Sequence, residues 1–225
     1  MKLVKLSMVL AGALCCTEAS AALITYSFSP GVPIPDNDPS GVGYGFVISA
    51  APTGIESVSV RFTITAGYNG DLYAYLTHDS GFAVLLNRVG ATGGNPGGYS
   101  DSGFNNVTLA SGVGNDIHQY QVTLGGPGVP GGAGWAADGR LNSTDVARNN
   151  TLDVFNGANP NGDWTLFFAD RSAGSISTLN TFEVQISAIP EPANVALGIV
   201  GGMFTLLQLG RSSRVRKWIL EVARR

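Results

Sequence analysis

The chain has 225 residues, of which 44% are hydrophobic and 13% charged. That length suits one globular domain or two small ones, and the apolar content excludes disorder over most of the chain. Residues 22–192 contain five arginines, no lysine and fourteen carboxylates, a net charge of about −9, which excludes nucleic acid as a partner because its phosphates would be repelled.

The first 21 residues have the pattern of a secretory signal peptide. Lys2 and Lys5 precede an apolar core at 6–16, and "ASA" ends at Ala21. Positive charge, an apolar stretch and small residues before the cleavage point are typical of an export signal rather than of a short buried helix. Both cysteines, Cys15 and Cys16, lie inside this segment. Cleavage after Ala21 would therefore leave a chain with no disulfide.

Short apolar or β-branched segments separated by turn residues then recur along the chain. They predict strands at 23–29, 44–50, 55–66, 71–78, 82–89, 104–110, 117–124, 151–157, 163–170 and 177–187. Within 55–66, Val58, Val60 and Phe62 alternate with polar residues, as in a strand with one buried face. We therefore predict an all-β domain at 22–188, an antiparallel β-sandwich or jelly roll.

Oxygen-bearing side chains in the turn-rich stretch 30–41 suggest a calcium site. Asp36, Asn37 and Asp38 are adjacent there, and Asp71 or Asp170 could add a carboxylate. Calcium takes several oxygen ligands from loops, although Asp and Asn are also the usual turn formers. We expect no other cofactor.

Two loop aromatics, Trp135 and Tyr99, are candidates for stacking on a sugar, although Trp135 could also fold back as an anchor of its loop, which is the interpretation that we favour. The run "THDSG" at 77–81 places His, Asp and Ser side by side. Consecutive strand residues point to opposite faces, so a polar turn between strands is favoured over a hydrolase triad. We predict no catalytic residues. Trp164 is expected in the core.

The C-terminal block is tripartite. Pro190-Glu191-Pro192 is followed by an apolar run at 193–210 and by the basic residues Arg211, Arg214, Arg216 and Lys217, with 218–225 as a basic extension. A mainly apolar run of 18 residues, with Asn194 and Gln208 near its ends, is at the lower limit for a transmembrane helix. The basic cluster would stay cytoplasmic, which places the acidic domain outside. A buried core helix is the alternative, but it would have no need of the basic cluster.

Three segments of the domain resemble the P domain (P/Homo B) of subtilisin-like proprotein convertases. They are "IPDN" at 34–37, the stretch 57–86 with Gly70-Asp71-Leu72, and the stretch 155–186 with Gly162-Asp163-Trp164-Thr165-Leu166. The resemblance implies an eight-stranded jelly roll of galactose-binding-like shape. In that family the module follows a protease catalytic domain, and none precedes it here.

The whole block 189–217 resembles the PEP-CTERM sorting signal of exported proteins in Gram-negative bacteria that make extracellular polysaccharide. The resemblance implies processing near Pro190-Glu191-Pro192 by an exosortase-type membrane protease. The expectation is a non-enzymatic protein of the cell surface or extracellular matrix, with the membrane and extracellular polysaccharide as further partners. The alternatives are a secreted carbohydrate-binding module and an accessory domain that acts with a separate protease.

Overall fold

The computed structural model describes residues 21–189 and 200–203, and the described part is predominantly β. Its strands are Ala22–Phe28 (β1), Val32–Pro33 (β2), Asp38–Ile48 (β3), Gly54–Ala66 (β4), Leu72–His78 (β5), Gly81–Asn87 (β6), Phe104–Ala110 (β7), Asn115–Asp116 (β8), Trp135–Ala136 (β9), Gly162–Asp170 (β10) and Ser177–Ile189 (β11). An α-helix, Tyr120–Leu124 (α1), and 3-10 turns at Asn69–Asp71, Ile117–Gln119 and Leu152–Phe155 connect them.

The strands form two sheets. The larger has the order β1-β11-β4-β7-β9-β8, with β2 also pairing with β11, and the smaller has the order β3-β10-β5-β6. Nearly all pairings are antiparallel, as predicted, except that the two-residue β9 runs parallel to β7 and β8.

The core lies between the two sheets. The alternation predicted at 57–64 is confirmed, because the apolar residues of β4 are buried and the polar ones are not. Phe62 of the larger sheet meets Phe168 of the smaller with ring centroids 5.7 Å apart, and Tyr44 meets Phe182 at 4.8 Å. Each fully buried aromatic side chain contributes roughly 1.5–3 kcal/mol relative to leaving it exposed. These contacts are the main force that holds the sheets face to face.

Two predicted strands, 117–124 and 151–157, are wrong. The first folds as the 3-10 turn Ile117–Gln119 followed by α1, and the second as the 3-10 turn Leu152–Phe155. In each case the fully buried residues are three apart, Ile117 with Tyr120 and Leu152 with Phe155. A spacing of three puts side chains on one face of a helical turn, whereas a strand would have required a spacing of two.

Strand β3 begins six residues earlier than predicted, at Asp38 rather than at Tyr44. Because residues 41, 43 and 45 are glycines, this stretch has no alternation of polar and apolar side chains that could predict a strand. Gly41 has a φ of +47°, and a Cβ there would overlap the carbonyl oxygen of Phe168. Only glycine lets β3 lie this close to β10.

No helix within residues 21–189 and 200–203 is long and apolar enough to cross a membrane. Residues 200–203 are helical, and the remainder of the predicted span 193–210 lies outside the described residues. The same holds for the signal peptide up to residue 20, for Pro190, Glu191 and Pro192, for Arg211, Arg214, Arg216 and Lys217, and for 218–225.

Candidate functional site

A buried cluster of charged side chains lies where the loops after β6, β8 and β9 meet. His118 is 3% exposed, with Nδ1 2.7 Å from Oδ2 of Asp138 and Nε2 3.0 Å from the carbonyl oxygen of Ala91. Both neighbours are hydrogen-bond acceptors. Both ring nitrogens of His118 therefore face a partner within the protein.

Arg140 completes this cluster. Its Nη2 donates to Oδ2 of Asp116 at 2.7 Å, its Nη1 to Oδ1 of Asp138 at 3.1 Å, and its Nε to the carbonyl of Asp145 at 2.8 Å. Burial alone would lower the pKa of Arg140, but the hydrogen bonds and charges of Asp116 and Asp138 raise it above its ordinary value. The ion pairs of Arg140 therefore hold the loop after β9 against the segment at Asp116, because separating them would leave a buried charge unpaired.

An open pocket of about 380 Å³ lies directly over this cluster. Its lining comes from the loop 90–93, from Tyr99, from the turn and helix 118–122, and from the segment 140–146. Gly90 has a φ of +79°, and a Cβ there would overlap the ring of Tyr99. Glycine at this position therefore lets the loop close onto the tyrosine.

Tyr99, one of the two predicted stacking residues, lines this pocket. Its ring packs edge-to-face against Tyr120 at 4.8 Å, and its backbone is held by Gly70, whose N–H donates to the Tyr99 carbonyl at 2.8 Å. Burial, followed by the charges of Asp101 and Asp116, raises the pKa of the Tyr99 hydroxyl.

Trp135, the other predicted stacking residue, is not available to a ligand. It is 4% exposed, and its Nε1 donates to the carbonyl of Gly131 at 3.1 Å. Trp135 is also the residue through which β9 pairs with β7 and β8. Trp135 therefore anchors its glycine-rich loop to the sheet and does not offer its ring to a sugar.

The predicted calcium ligands converge on one corner of the domain. Burial raises the pKa of Asp71, and the charges of Asp170 and Asp36 raise it further. Asp38 lies opposite Asp170 in the pairing of β3 with β10. Asn37 has a φ of +51°, and its backbone N–H donates to Asp170.

This corner is nonetheless not shown to be a metal site. Within the described part of the chain, no group of three or more His, Cys, Asp or Glu side chains is placed to hold a metal ion. Asp36 instead accepts the backbone N–H of Gly174 at 3.0 Å. The calcium site stays a prediction.

The run "THDSG" forms the turn between β5 and β6, as predicted. His78 has its Nδ1 2.7 Å from Oγ of Ser80 and its Nε2 3.1 Å from the carbonyl of Asn161. The ring stacks on Trp164 at 4.4 Å, and Trp164 is fully buried, as expected. Within the described residues no carboxylate bonds to His78, so the third member of a triad is missing from this turn.

Sequence reasoning missed the ion cluster altogether. Its members Asp116, His118, Asp138 and Arg140 lie in segments that we read as a strand or as loop, and no local motif joins them. The one available signal was the pair Asp138 and Arg140 in a loop otherwise poor in charge. Charged residues there need partners if the loop is buried.

No protein-family model matches the chain, and no curated protein matches its sequence. Among solved structures, a complex of the Aeromonas sobria serine protease ASP with the chaperone ORF2 is similar at 14% identity and a TM-score of 0.44. The match covers 76% of this chain and 28% of that one. The serine protease of Aeromonas sobria by itself gives 14% identity and a TM-score of 0.42, covering 75% and 27%. Similarity at this level assigns neither activity nor partner to the present chain.

Proposed function

We propose that residues 22–188 form a non-catalytic accessory module that acts beside a separate protease. The proposal is carried by one observation, the structural placement of the segments that resemble the P domain. Ile34 and Trp164 are fully buried, and Asp71 is 7% exposed. The residues that carry the resemblance are thus those that build the sandwich.

The two most distinctive segments lie at opposite ends of one strand pair. Leu72, at the start of β5, faces Asp170 at the end of β10, and Trp164, near the start of β10, faces His78 at the end of β5. Gly70 also packs against the loop at Gly97, where a Cβ would overlap the carbonyl oxygen. A jelly roll of galactose-binding-like shape, as the resemblance implies, is part of this proposal.

A non-catalytic role is supported by how the histidines of the described residues are used. His118 is buried between Asp138 and Ala91, and His78 is packed on Trp164. All four ring nitrogens already have a hydrogen-bond partner within the protein, so a substrate would have to displace one of these partners before either ring could act on it as a general base.

Binding to a protease tests this proposal directly. The full chain, purified in mild detergent, would be titrated against a subtilisin-like catalytic domain from the same organism that has no P domain of its own. We expect a one-to-one complex by light scattering and a raised melting temperature of the protease, because a ligand that binds only the native state stabilises it. The absence of a complex with every such protease would refute the accessory role.

We further propose that the chain is exported and sorted to the cell surface through 189–217, with an exosortase-type protease cutting near Pro190-Glu191-Pro192. The order of a signal-like segment, an acidic domain and a basic end supports an orientation in which the domain lies outside the membrane and the basic end lies in the cytoplasm. Mass spectrometry of the protein recovered from cells would show an N-terminus at Ala22 and loss of the tail. Substituting alanine for the Pro-Glu-Pro residues should retain the tail, and an intact tail in the unsubstituted protein would refute the proposal.

A further inference from the structure

We propose that the pocket beside Tyr99 is a binding site for a neutral saccharide. This inference is independent of the protease partner proposed above. It rests on three properties of the pocket: its arginine is already paired, its free uncharged polar groups are amides and hydroxyls, and its rim carries exposed apolar side chains.

The positive charge of the pocket is neutralised within the protein, because Arg140 is paired with Asp116 and Asp138. Asp145 uses Oδ2 to accept both the backbone N–H and the side-chain amide of Asn142, at 3.0 and 3.1 Å, and its carboxylate adds a negative charge to the lining. An anionic ligand would therefore find no unpaired positive charge, and its desolvation would not be compensated. The ligand is expected to carry no negative charge, as a neutral saccharide does not.

Uncharged polar groups remain free around the opening. The side chains of Gln119 and Thr144 line the pocket and have no hydrogen-bond partner within the described residues. Thr92 accepts the N–H of Asn95 at 3.0 Å and keeps its own hydroxyl proton. An amide or a hydroxyl can both donate and accept, so these groups match the hydroxyls of a sugar ring.

The rim of the pocket is apolar and exposed. Val122 is 74% exposed and Val146 is 93% exposed, and both lie on the pocket lining with Tyr99. Single exposed apolar residues need no explanation, but two beside one aromatic ring form a surface that a ligand could cover. A sugar offers C–H faces to such a surface and hydroxyls to the polar groups between.

A peptide fits this pocket less well. Extended peptides commonly bind by adding a strand to a free sheet edge, whereas the lining here consists of loops, a 3-10 turn and α1. The volume of about 380 Å³ is near the small end of the roughly 300–1,000 Å³ typical of ligand pockets. It suits one or two sugar rings.

The test is binding of the full chain in mild detergent to a panel of neutral oligosaccharides of glucose, galactose, mannose and N-acetylglucosamine. Saturation-transfer NMR would detect binding, and titration would give affinities. We expect at least one neutral sugar to bind with a Kd of about 1 mM or below. Gln119→Ala should weaken it about three- to tenfold, the value of one lost hydrogen bond.

Matched variants separate the site from general effects on folding. Gln121→Ala is the control for Gln119, because its side chain instead bonds to Asp101 at 2.6 Å and should leave the affinity unchanged. Tyr99→Ala should weaken binding tenfold or more, with the exposed Tyr68 as its control. The proposal is overturned if no neutral sugar binds at about 10 mM, if Gln119→Ala and Gln121→Ala behave alike, or if short apolar peptides displace the sugar.

Discussion

Replacing Asp170 by asparagine should stabilise the domain at neutral pH, against the usual result for a buried carboxylate. Asp170 is fully buried. Its Oδ1 accepts the backbone N–H of Ser172 at 3.1 Å, whereas its Oδ2 has no hydrogen-bond partner. Burial raises the pKa of Asp170, and the charge of Asp36 adds to the effect, while hydrogen bonds and Arg88 oppose it.

The magnitude follows from that unpartnered oxygen. A buried polar group without a hydrogen bond costs about 1–3 kcal/mol, and more when charged. Asparagine keeps the acceptor that Ser172 uses and removes the charge, but it leaves its amide N–H₂ in the place of Oδ2. The net gain is therefore about 1–2 kcal/mol, which raises the melting temperature by about 2–8 °C in a domain of this size.

The pH dependence of the stability tests the same reasoning independently. An acid with a raised folded-state pKa binds more protons folded than unfolded, so stability falls as pH rises from the ordinary carboxyl range through the folded pKa. Asp71 shares this behaviour, since burial and then Asp170 raise its pKa. The stability gained by Asp170→Asn should thus be largest near neutral pH and should vanish toward about pH 4.

The measurement is differential scanning calorimetry of both proteins from pH 4 to 8 in EDTA, repeated with calcium. A variant less stable than the wild type at pH 7 in EDTA would refute the argument. Calcium that stabilises the wild type but not the variant would instead establish the predicted cation site. Asp163→Asn, on an exposed residue of the same strand, is the control and should change neither curve.

Three further substitutions, two of them with a matched control variant, test the packing of the domain. Gly41→Ala should destabilise the domain by roughly 1–3 kcal/mol, because the φ of Gly41 is +47° and the added Cβ would meet Phe168. Its control, Gly43→Ala on the same strand, should be neutral or stabilising by up to about 1 kcal/mol. Urea unfolding measures the stability of both variants. Asp138→Ala should cost about 1–3 kcal/mol, because Nδ1 of the buried His118 and the backbone N–H of Asn87 lose their partner, while Asp116 still pairs with Arg140. Equal losses in Asp138→Ala and Asp145→Ala by the same assay would contradict this. Trp164→Ala should cost about 3–5 kcal/mol, and a melting temperature within 2–3 °C of the wild type would show that the core does not depend on it.

The strands were predictable where one face is polar and the other apolar. Strand β4 shows this best, because Val58, Val60 and Phe62 alternate with polar residues and the observed burial follows the same period. The segment 117–124 also alternates, at Tyr120, Val122 and Leu124, but Val122 and Leu124 are exposed. Its fully buried residues, Ile117 and Tyr120, are three apart. A spacing of three in a short segment is the available signal for a helical turn.

The pocket could be anticipated only through Tyr99. An aromatic residue in a glycine-rich loop is visible in the sequence, but so was Trp135, and only tertiary contacts distinguish the two. Trp135 is buried by its pairing with Leu109 and Asn115, which lie 26 and 20 residues away in the sequence. Contacts over such separations leave no local pattern, so exposure of the two rings could not be ranked in advance.

The acidic corner and the pocket are two ends of one loop assembly. Asp71 lies in the corner, and its neighbour Gly70 donates its N–H to the carbonyl of Tyr99 at 2.8 Å, while Asn69 donates to Asp101 at 2.9 Å. A change in the charge of the corner therefore acts on the backbone that carries the pocket's aromatic ring. Asp170→Asn is therefore expected also to change the affinity of the pocket for a saccharide, although no side chain of the corner lines that pocket. Identical affinities in both proteins would show that the corner contributes to stability alone.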